Sequence, residues 1–398
     1  MRKSLLVSAS LLVAATSFIP VNAQAIEPNS VATIFTRLIS NKELADPSVV
    51  VIDEKTGEVV FEKSASSLRK PASVQKIFAG VAAVEHLPMD QSFTTSAWVG
   101  TEAKSLVIQG SLDPWISLSD TVAKKMGRTS LPRIEFNSLN ALKKANSGSV
   151  RNSTIYYSNL YSQDVANLKL FFAKHGVIAK MKQVNTQDAL DFSDSFILES
   201  HSPQLQDILA FTLTWSDNLL AERIARLASK AAGNSFDDAG VAQTFANVLT
   251  EFNIDCSTLV VQDASGLSRD NRVTAKQVGQ LLVKIHHDPR FAPIINGLPI
   301  GGETGTLKDR FITTAPSAIG LVRAKTGTLN GTANLAGYVE SGSHEYVFVI
   351  IADRLRRTSV AEGRARATVD RILGKIASPL LPQMDLLSDV PILNSDTP

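Results

Sequence analysis

VVIDEKTGEVVFEK at residues 50–63, SASSLRKPA at 64–72 and SVQKIFAGVAAVE at 73–85 form one continuous stretch whose three textures decide the fold. The first places two β-rich runs around Lys55-Thr56-Gly57, which predicts a hairpin. Within the second, Ser67–Ala72 breaks the extended pattern. The third is helix-compatible from Ser73 through Glu85, and Pro71 sits just ahead of it, where a missing N–H costs little. Ser73 is therefore expected at or next to a helix N-terminus.

Working outward, the C-terminal part alternates. Ala318–Lys325 and Thr332–Glu340 read as strands joined by the turn-rich Thr326–Gly331, Glu345–Ile351 reads as a third strand, and a final helix suits Val360–Ile376. Together with the hairpin these predict an α+β fold, an antiparallel sheet flanked by helices. Ser202–Thr250 is helical in character, with Leu209, Leu213, Leu220, Ile224 and Leu227 able to bury one face. A further helix fits Thr274–His286, begun by a Thr cap. Between Met89 and Ser200 the texture changes to a short β-like run at Ser105–Gln109 and helical stretches near 118–126 and 164–175. An inserted accessory domain at 90–200, splitting a core of 26–89 and 201–378, is the organisation expected.

The chain has 398 residues, 44% of them hydrophobic and 20% charged, enough for one or two packed domains. A net charge of +2, with dispersed Lys and Arg, excludes a nucleic-acid surface, since binding many phosphates needs concentrated positive charge. The densest basic run, Arg354–Arg371, is interrupted by Glu362 and Asp370 and is expected as a solvated helix face. Met1-Arg2-Lys3, the apolar run from Leu5 to Pro20 and Val21–Ala25 match the three regions of a secretory signal peptide over 1–25, which implies an extracytoplasmic protein in the periplasm or cell-wall space. No later stretch is apolar enough for a membrane anchor, and 379–398 reads as a flexible polar tail. Cys256 is alone, so no internal disulfide forms. The six His show no two-ligand spacing with carboxylates, and His286-His287 is expected to point in divergent directions, so no metal site and no cofactor are predicted.

Three short strings carry chemistry. Ser73-Val74-Gln75-Lys76 sets a hydroxyl and an amine one helical turn apart. A serine hydroxyl needs a base to take its proton, and a lysine with lowered proton affinity serves. Ser216-Asp217-Asn218 can aim a hydroxyl and an amide into a cleft, with Asp217 turned away to cap the next helix. Lys325-Thr326-Gly327-Thr328 ends a β-like run, where an edge strand could pair with a peptide substrate and Gly327 would permit its close approach. The backbone N–H groups of Ser73 and Thr328 could form an oxyanion hole.

In this order, Ser-x-x-Lys, Ser-Asp-Asn and Lys-Thr-Gly are the signature of the penicillin-binding proteins and serine β-lactamases. From roughly Val51 to Ala377 the chain resembles the D-alanyl-D-alanine carboxypeptidase/endopeptidase family within them, the type 4 penicillin-binding proteins. Gly110–Pro114, Asp263–Thr274 and Gly305–Phe311 support the resemblance. It implies a β-lactamase/transpeptidase-like core with a helical subdomain, acting on peptidoglycan stem peptides and acylated by β-lactam antibiotics. It further implies Ser73 as nucleophile, Lys76 as base, Ser216 as proton relay and Asn218 as amide contact. Lys325, Thr326 and Thr328 would hold the terminal carboxylate, Asp263–Thr274 would support the cleft floor, and Gly305–Phe311 would pack beneath the Lys-Thr-Gly strand.

Ser216 follows Ser73 by 143 positions, long for a simple β-lactamase and short for the fullest members of the inserted family. Endopeptidase action on cross-links is thus less firmly implied than carboxypeptidase action. A β-lactamase alternative asks for Glu-x-x-Leu-Asn after Ser-Asp-Asn, whereas Glu135 and Leu139-Asn140 are spaced one residue too far and precede Ser216. A non-catalytic peptidoglycan-binding protein would need a broken motif, and none is broken.

Overall fold

A computed structural model describes residues 26–379. The leader read over 1–25, and the tail read over 379–398 beyond its first residue, lie outside the described residues. In chain order the strands are β1 (Ser48–Asp53), β2 (Val59–Lys63), β3 (Ser92–Gly100), β4 (Ser105–Gly110), β5 (Thr154–Ser158), β6 (Lys180–Gln183), β7 (Ser193–Gln204), β8 (Val322–Gly327), β9 (Ala333–Ser341) and β10 (His344–Ala352). The first sheet has the order β2-β1-β10-β9-β8 and is antiparallel throughout. The expected α+β core is present.

β1 is buried along its whole length because it lies between two strands and two layers of helices. Its side chains alternate between those layers. Val50 and Ile52 join Val74, Ile77, Phe78, Val278 and Leu282 in one cluster, while Val49 and Val51 join Phe35, Phe348, Val369 and Leu373 in the other. The first cluster gathers the helices Lys76–His86, Asn218–Ala231 and Ala275–His286, and the second gathers Pro28–Leu38 and Ser359–Leu373.

Two boundaries differ from expectation in ways that matter for chemistry. The helix expected from Ser73 begins with a tight 3-10 turn at Ala72–Gln75 and becomes α-helical at Lys76. The strand expected to end at Lys325 runs on to Gly327, because Thr326 and Gly327 pair with Leu335 and Asn334, and it starts later because Pro316–Ala318 forms a turn. At the sheet edge, Gly301 N donates to Val322 O and Ala324 N to Pro299 O, so residues 299–301 cover the first half of β8. The half holding Lys-Thr-Gly is left uncovered by that segment.

Residues 92–204 build a second sheet, β6-β5-β4-β3-β7, in which β4, β5 and β6 are parallel and β3 is antiparallel to both neighbours. It has its own core of Leu106, Ile108, Ile134, Leu142, Ile155, Leu168 and Phe172. β4 and the helices Asp120–Met126 and Ser162–Lys174 match expected elements, whereas the helix Leu131–Ala145 and the four other strands had no clear signal. This unit docks on the helical layer through Trp115 and Tyr161, which belong to the first core cluster, and through a buried Arg223–Asp164 ion pair of 2.5 Å.

Candidate active site

The turn that carries Ser73 is clamped from three sides. Ala72 holds φ +48°, a left-handed conformation unfavourable for a residue with a Cβ, worth about 1–3 kcal/mol of strain that surrounding contacts must offset. Gly266, at φ +82°, presses against it, and a Cβ there would come within 1.9 Å of Ala72 O. Gly327 faces the same turn, where a Cβ would lie 2.6 Å from Pro71 O. The glycine of Lys-Thr-Gly therefore admits the protein's own Ser73 turn against the strand. Asn334 Nδ2 donates to Lys70 O at 2.8 Å and Pro71 O at 2.9 Å, while Asp353 accepts from Lys70 N and Arg69 Nη1, each at 3.1 Å.

Lys76 is fully buried, and its Nζ lies 3.0 Å from Ser73 Oγ. The same nitrogen donates to Asn218 Oδ1 and Ser265 O, each at 2.7 Å. Two fixed acceptors thus take two N–H groups and turn the remaining valence toward the hydroxyl, as a neutral amine acting as base requires. Burial pushes the Lys76 pKa down to about 8, opposed by the charges of Glu222, Asp263 and Asp217. Lys325 is also fully buried, with Nζ 3.3 Å from Thr326 O. Burial, and then the charge of Lys76, holds it well below the usual lysine range.

Ser216 terminates the helix Leu205–Trp215 in a left-handed conformation at φ +59°, and Asn218 opens the next helix. Asp217 between them caps that helix by accepting from Leu220 N at 3.0 Å, as its place in the sequence predicts. The far side of Asp217 pairs with Arg128 of the inserted unit at 3.2 Å.

A cavity of about 310 Å³ opens on these groups, lined by Ser73, Ser216, Asn218, Thr326 and Thr328, and also by Thr306, Arg310, Ala333, Asn334 and Arg366. All three motifs therefore converge on one cleft. Lys325 lies behind its wall, so Thr326 and Thr328 are the exposed members of their motif. Thr306 Oγ1 lies 2.8 Å from Thr326 Oγ1, which brings the Gly305–Phe311 string to the cavity itself. Asp263–Asn271 lies directly against the turn that carries Ser73: Asp263 accepts from the backbone N–H groups of Gly266, Leu267 and Ser268, fixing the loop that presents Ser265 O to Lys76.

The basic run near the C-terminus is not simply a solvated face. Arg366 reaches the cavity wall, and Asp370 is buried, pairs with Arg310 and accepts from Thr314 Oγ1 at 3.0 Å. Glu222 and Asn334 carry no local sequence signal for their roles. Glu222 accepts from Ala264 N at 3.2 Å and Ser265 N at 2.8 Å, supporting the loop that positions Lys76. Glu135 lies on the helix Leu131–Ala145 in the inserted unit and does not line the cavity, so it supplies no deacylating carboxylate there.

The converging motifs on an antiparallel sheet and helical layer define the class of penicillin-recognising serine enzymes. The sequence profile of the family described as "D-Ala-D-Ala carboxypeptidase 3 (S13) family" matches residues 35–151 and 148–375, and the chain belongs to that family. It is 27% identical to Carboxypeptidase DacB of Mycolicibacterium smegmatis over 89% of this chain and 87% of that one. A match to the D-alanyl-D-alanine carboxypeptidase of an Actinomadura species is 36% identical but spans only 40% of this chain and 31% of that protein. Among solved structures, penicillin binding protein 4 from Haemophilus influenzae shares the fold with a TM-score of 0.63 at 17% identity, covering 87% of this chain and 98% of that one. The chain is a serine-type D-Ala-D-Ala carboxypeptidase of the penicillin-binding type, and its peptidoglycan substrate places its work outside the cytoplasm. No helix among the described residues is long and apolar enough to cross a membrane.

Proposed function

We propose that Ser73 is the nucleophile of this reaction, that neutral Lys76 takes its proton, and that the acyl-enzyme forms with loss of the terminal D-alanine. Ser73 Oγ attacks the carbonyl between the two D-alanines, and the resulting oxyanion is held by the Ser73 and Thr328 backbone N–H groups. Ser216 passes the proton to the leaving amine, and Asn218 contacts the substrate amide as well as the base. Thr326 and Thr328 receive the terminal carboxylate at the cavity wall. Arg366 contributes positive charge beside them, and Lys325 contributes from behind to the extent that it is protonated. The uncovered half of β8 accepts the stem peptide as an added strand. Water completes the hydrolysis. β-Lactams acylate the same oxygen, cross-linked stems are a second substrate, and the place of action is the periplasm or cell-wall space.

The observation that carries this reading is the 3.0 Å approach of a buried, depressed-pKa amine to Ser73 Oγ. Intact-protein mass spectrometry after benzylpenicillin, with release of D-alanine from a stem peptide measured in parallel, tests it. One adduct on Ser73 and D-alanine release are expected, and both vanish in Ser73→Ala. An adduct or release surviving in that variant overturns the assignment.

A further inference from the structure

At the opposite end of the first sheet from the cleft, three side chains converge and a fourth stands against one of them. Gly327 pairs with Asn334, Asn334 with Ile351 and Ile351 with Ser48, which marks the cleft end of the ladders. Asp53 and Tyr346 lie at the other end. There Glu54 follows β1, Glu345 lies on β10, and His286 and His287 close the helix Ala275–His286. Glu54 N donates to Glu345 O at 3.0 Å, which sets the two residues side by side.

The sequence predicts that these adjacent histidines diverge. They do not, because His286 is the last helical residue and His287 the cap, and their ring centres lie 5.2 Å apart. The ligating atoms of Glu54, His286 and His287 all fall within 4.8 Å of one another. Glu54 Oε1 is 2.8 Å from His287 Nε2 and 3.8 Å from His286 Nε2, and Glu345 Oε2 is 3.0 Å from His286 Nε2. The edge of a tetrahedral zinc site is about 3.4 Å for bonds near 2.1 Å, and these separations bracket it.

Glu54 is only 6% exposed, and its Oε1 is buried without a hydrogen-bond partner among the described residues. The neighbouring imidazole nitrogens are close to that oxygen, yet no N–H is aimed at it. Such an arrangement suits lone pairs converging on a third point between them. His287 is 67% exposed, so an ion can enter from solvent.

We propose that Glu54, His286 and His287 bind one zinc-class divalent transition-metal ion, which pins the end of this helix to the end of β1, with Glu345 of β10 holding the His286 ring in place. Two imidazoles with one carboxylate and a water suit Zn²⁺, whereas Mg²⁺ and Ca²⁺ prefer all-oxygen sets. The ligands come from two separate segments, so the ion binds the folded state and stabilises it. The site stands apart from the cleft and does not depend on the roles assigned there.

Calorimetric titration of ZnCl₂ into the metal-stripped, untagged protein tests this, with MgCl₂ as the control ion and benzylpenicillin acylation followed alongside. One equivalent of Zn²⁺ is expected to bind and to raise the thermal midpoint, with no Mg²⁺ binding at the same concentration. Affinity falls at least about tenfold in His287→Ala and in Glu345→Gln. Both positions are solvent-accessible and remote from Ser73, so unchanged acylation certifies that the variants are folded. Substoichiometric binding by the parent, or equal affinity in parent and His287→Ala, overturns the proposal and leaves an ion-pair cluster alone.

Discussion

Lys76 Nζ donates to Asn218 Oδ1 at 2.7 Å, so the helices carrying the first two motifs meet at this amine. An asparagine expected to hold only substrate is also a fixed acceptor for the amine. Together with Ser265 O it decides which way the lysine faces. The orientation of Lys76 therefore depends on three remote segments closing on one nitrogen, which lets the cleft hold a lysine out of water without leaving its N–H groups unpaired.

The first prediction concerns pH. The folded pKa of Lys76 is about 8, below its ordinary 10.5, because burial disfavours the ammonium. The acylation rate by benzylpenicillin is expected to rise about tenfold per pH unit below that value and to level off above it. Lys76→Met should lower the rate by at least about a hundredfold. The sign for stability is opposite to that of a paired lysine: the folded state is penalised at low pH, and the penalty lifts as pH rises from about 8 toward 10.5. Lys76→Met should thus be more stable than the parent near neutrality, by about 1 kcal/mol after loss of its two hydrogen bonds. Urea unfolding measures this difference.

Glu222 works on the same amine from a distance. Its charge favours the Lys76 ammonium, and its oxygens hold the Ala264 and Ser265 N–H groups. Glu222→Gln keeps an acceptor but removes the charge, so the acid limb of the acylation profile should move to lower pH. Weaker support for the loop should cost about 1 kcal/mol of stability. A limb that stays in place or moves upward would show that Glu222 only supports the loop.

Asn334 ties β9 to the turn that carries Ser73 through Lys70 O and Pro71 O. Asn334→Leu leaves both carbonyls without this donor, and about 2–3 kcal/mol should be lost. The turn also loosens against Gly327, so acylation per folded molecule should fall together with stability. Unfolding and acylation rates measured on the same preparation separate the two effects.

Signals confined to one or two turns of chain were legible. Ser73 and Lys76 are three positions apart, Asp217 precedes an amphipathic helix, and Thr274 begins a capping box with Gln277, so local geometry alone fixes these relations. Glu222 and Asn334 act through backbone groups more than forty and two hundred sixty residues away, and nothing near them in sequence announces it. The inserted sheet was obscured for another reason: β7, its edge strand, has a mostly exposed or half-exposed run of mixed polar and apolar side chains, so no clean alternation of period two survives. The sequence pattern ends the Lys-Thr-Gly strand two residues early, because its true extent depends on pairing with Leu335 and Asn334.

The last prediction lies where the inserted unit meets the helical layer. Burial raises the Asp113 pKa to about 6, although Trp115 N donates to it at 2.8 Å and Thr129 and Arg223 also favour its charge. Because this is above the unfolded value of 3.8, the folded state holds an extra proton between the two. Its contribution to stability is full below about pH 4 and is lost as pH rises through about 6, amounting to at most about 3 kcal/mol. Asp113→Asn keeps an acceptor for Trp115 N and cannot ionise. Relative to the parent, it should flatten the decline in urea stability between about pH 4 and pH 7, and be the more stable protein at the upper end. Arg223→Met should do the reverse, leaving Asp164 buried without its partner at a cost of about 3–5 kcal/mol. Neither residue lines the cavity, so acylation of Ser73 per folded molecule should stay at the parent rate in both. A matching loss of acylation in Asp113→Asn would mean that the docking of the inserted unit shapes the cleft directly.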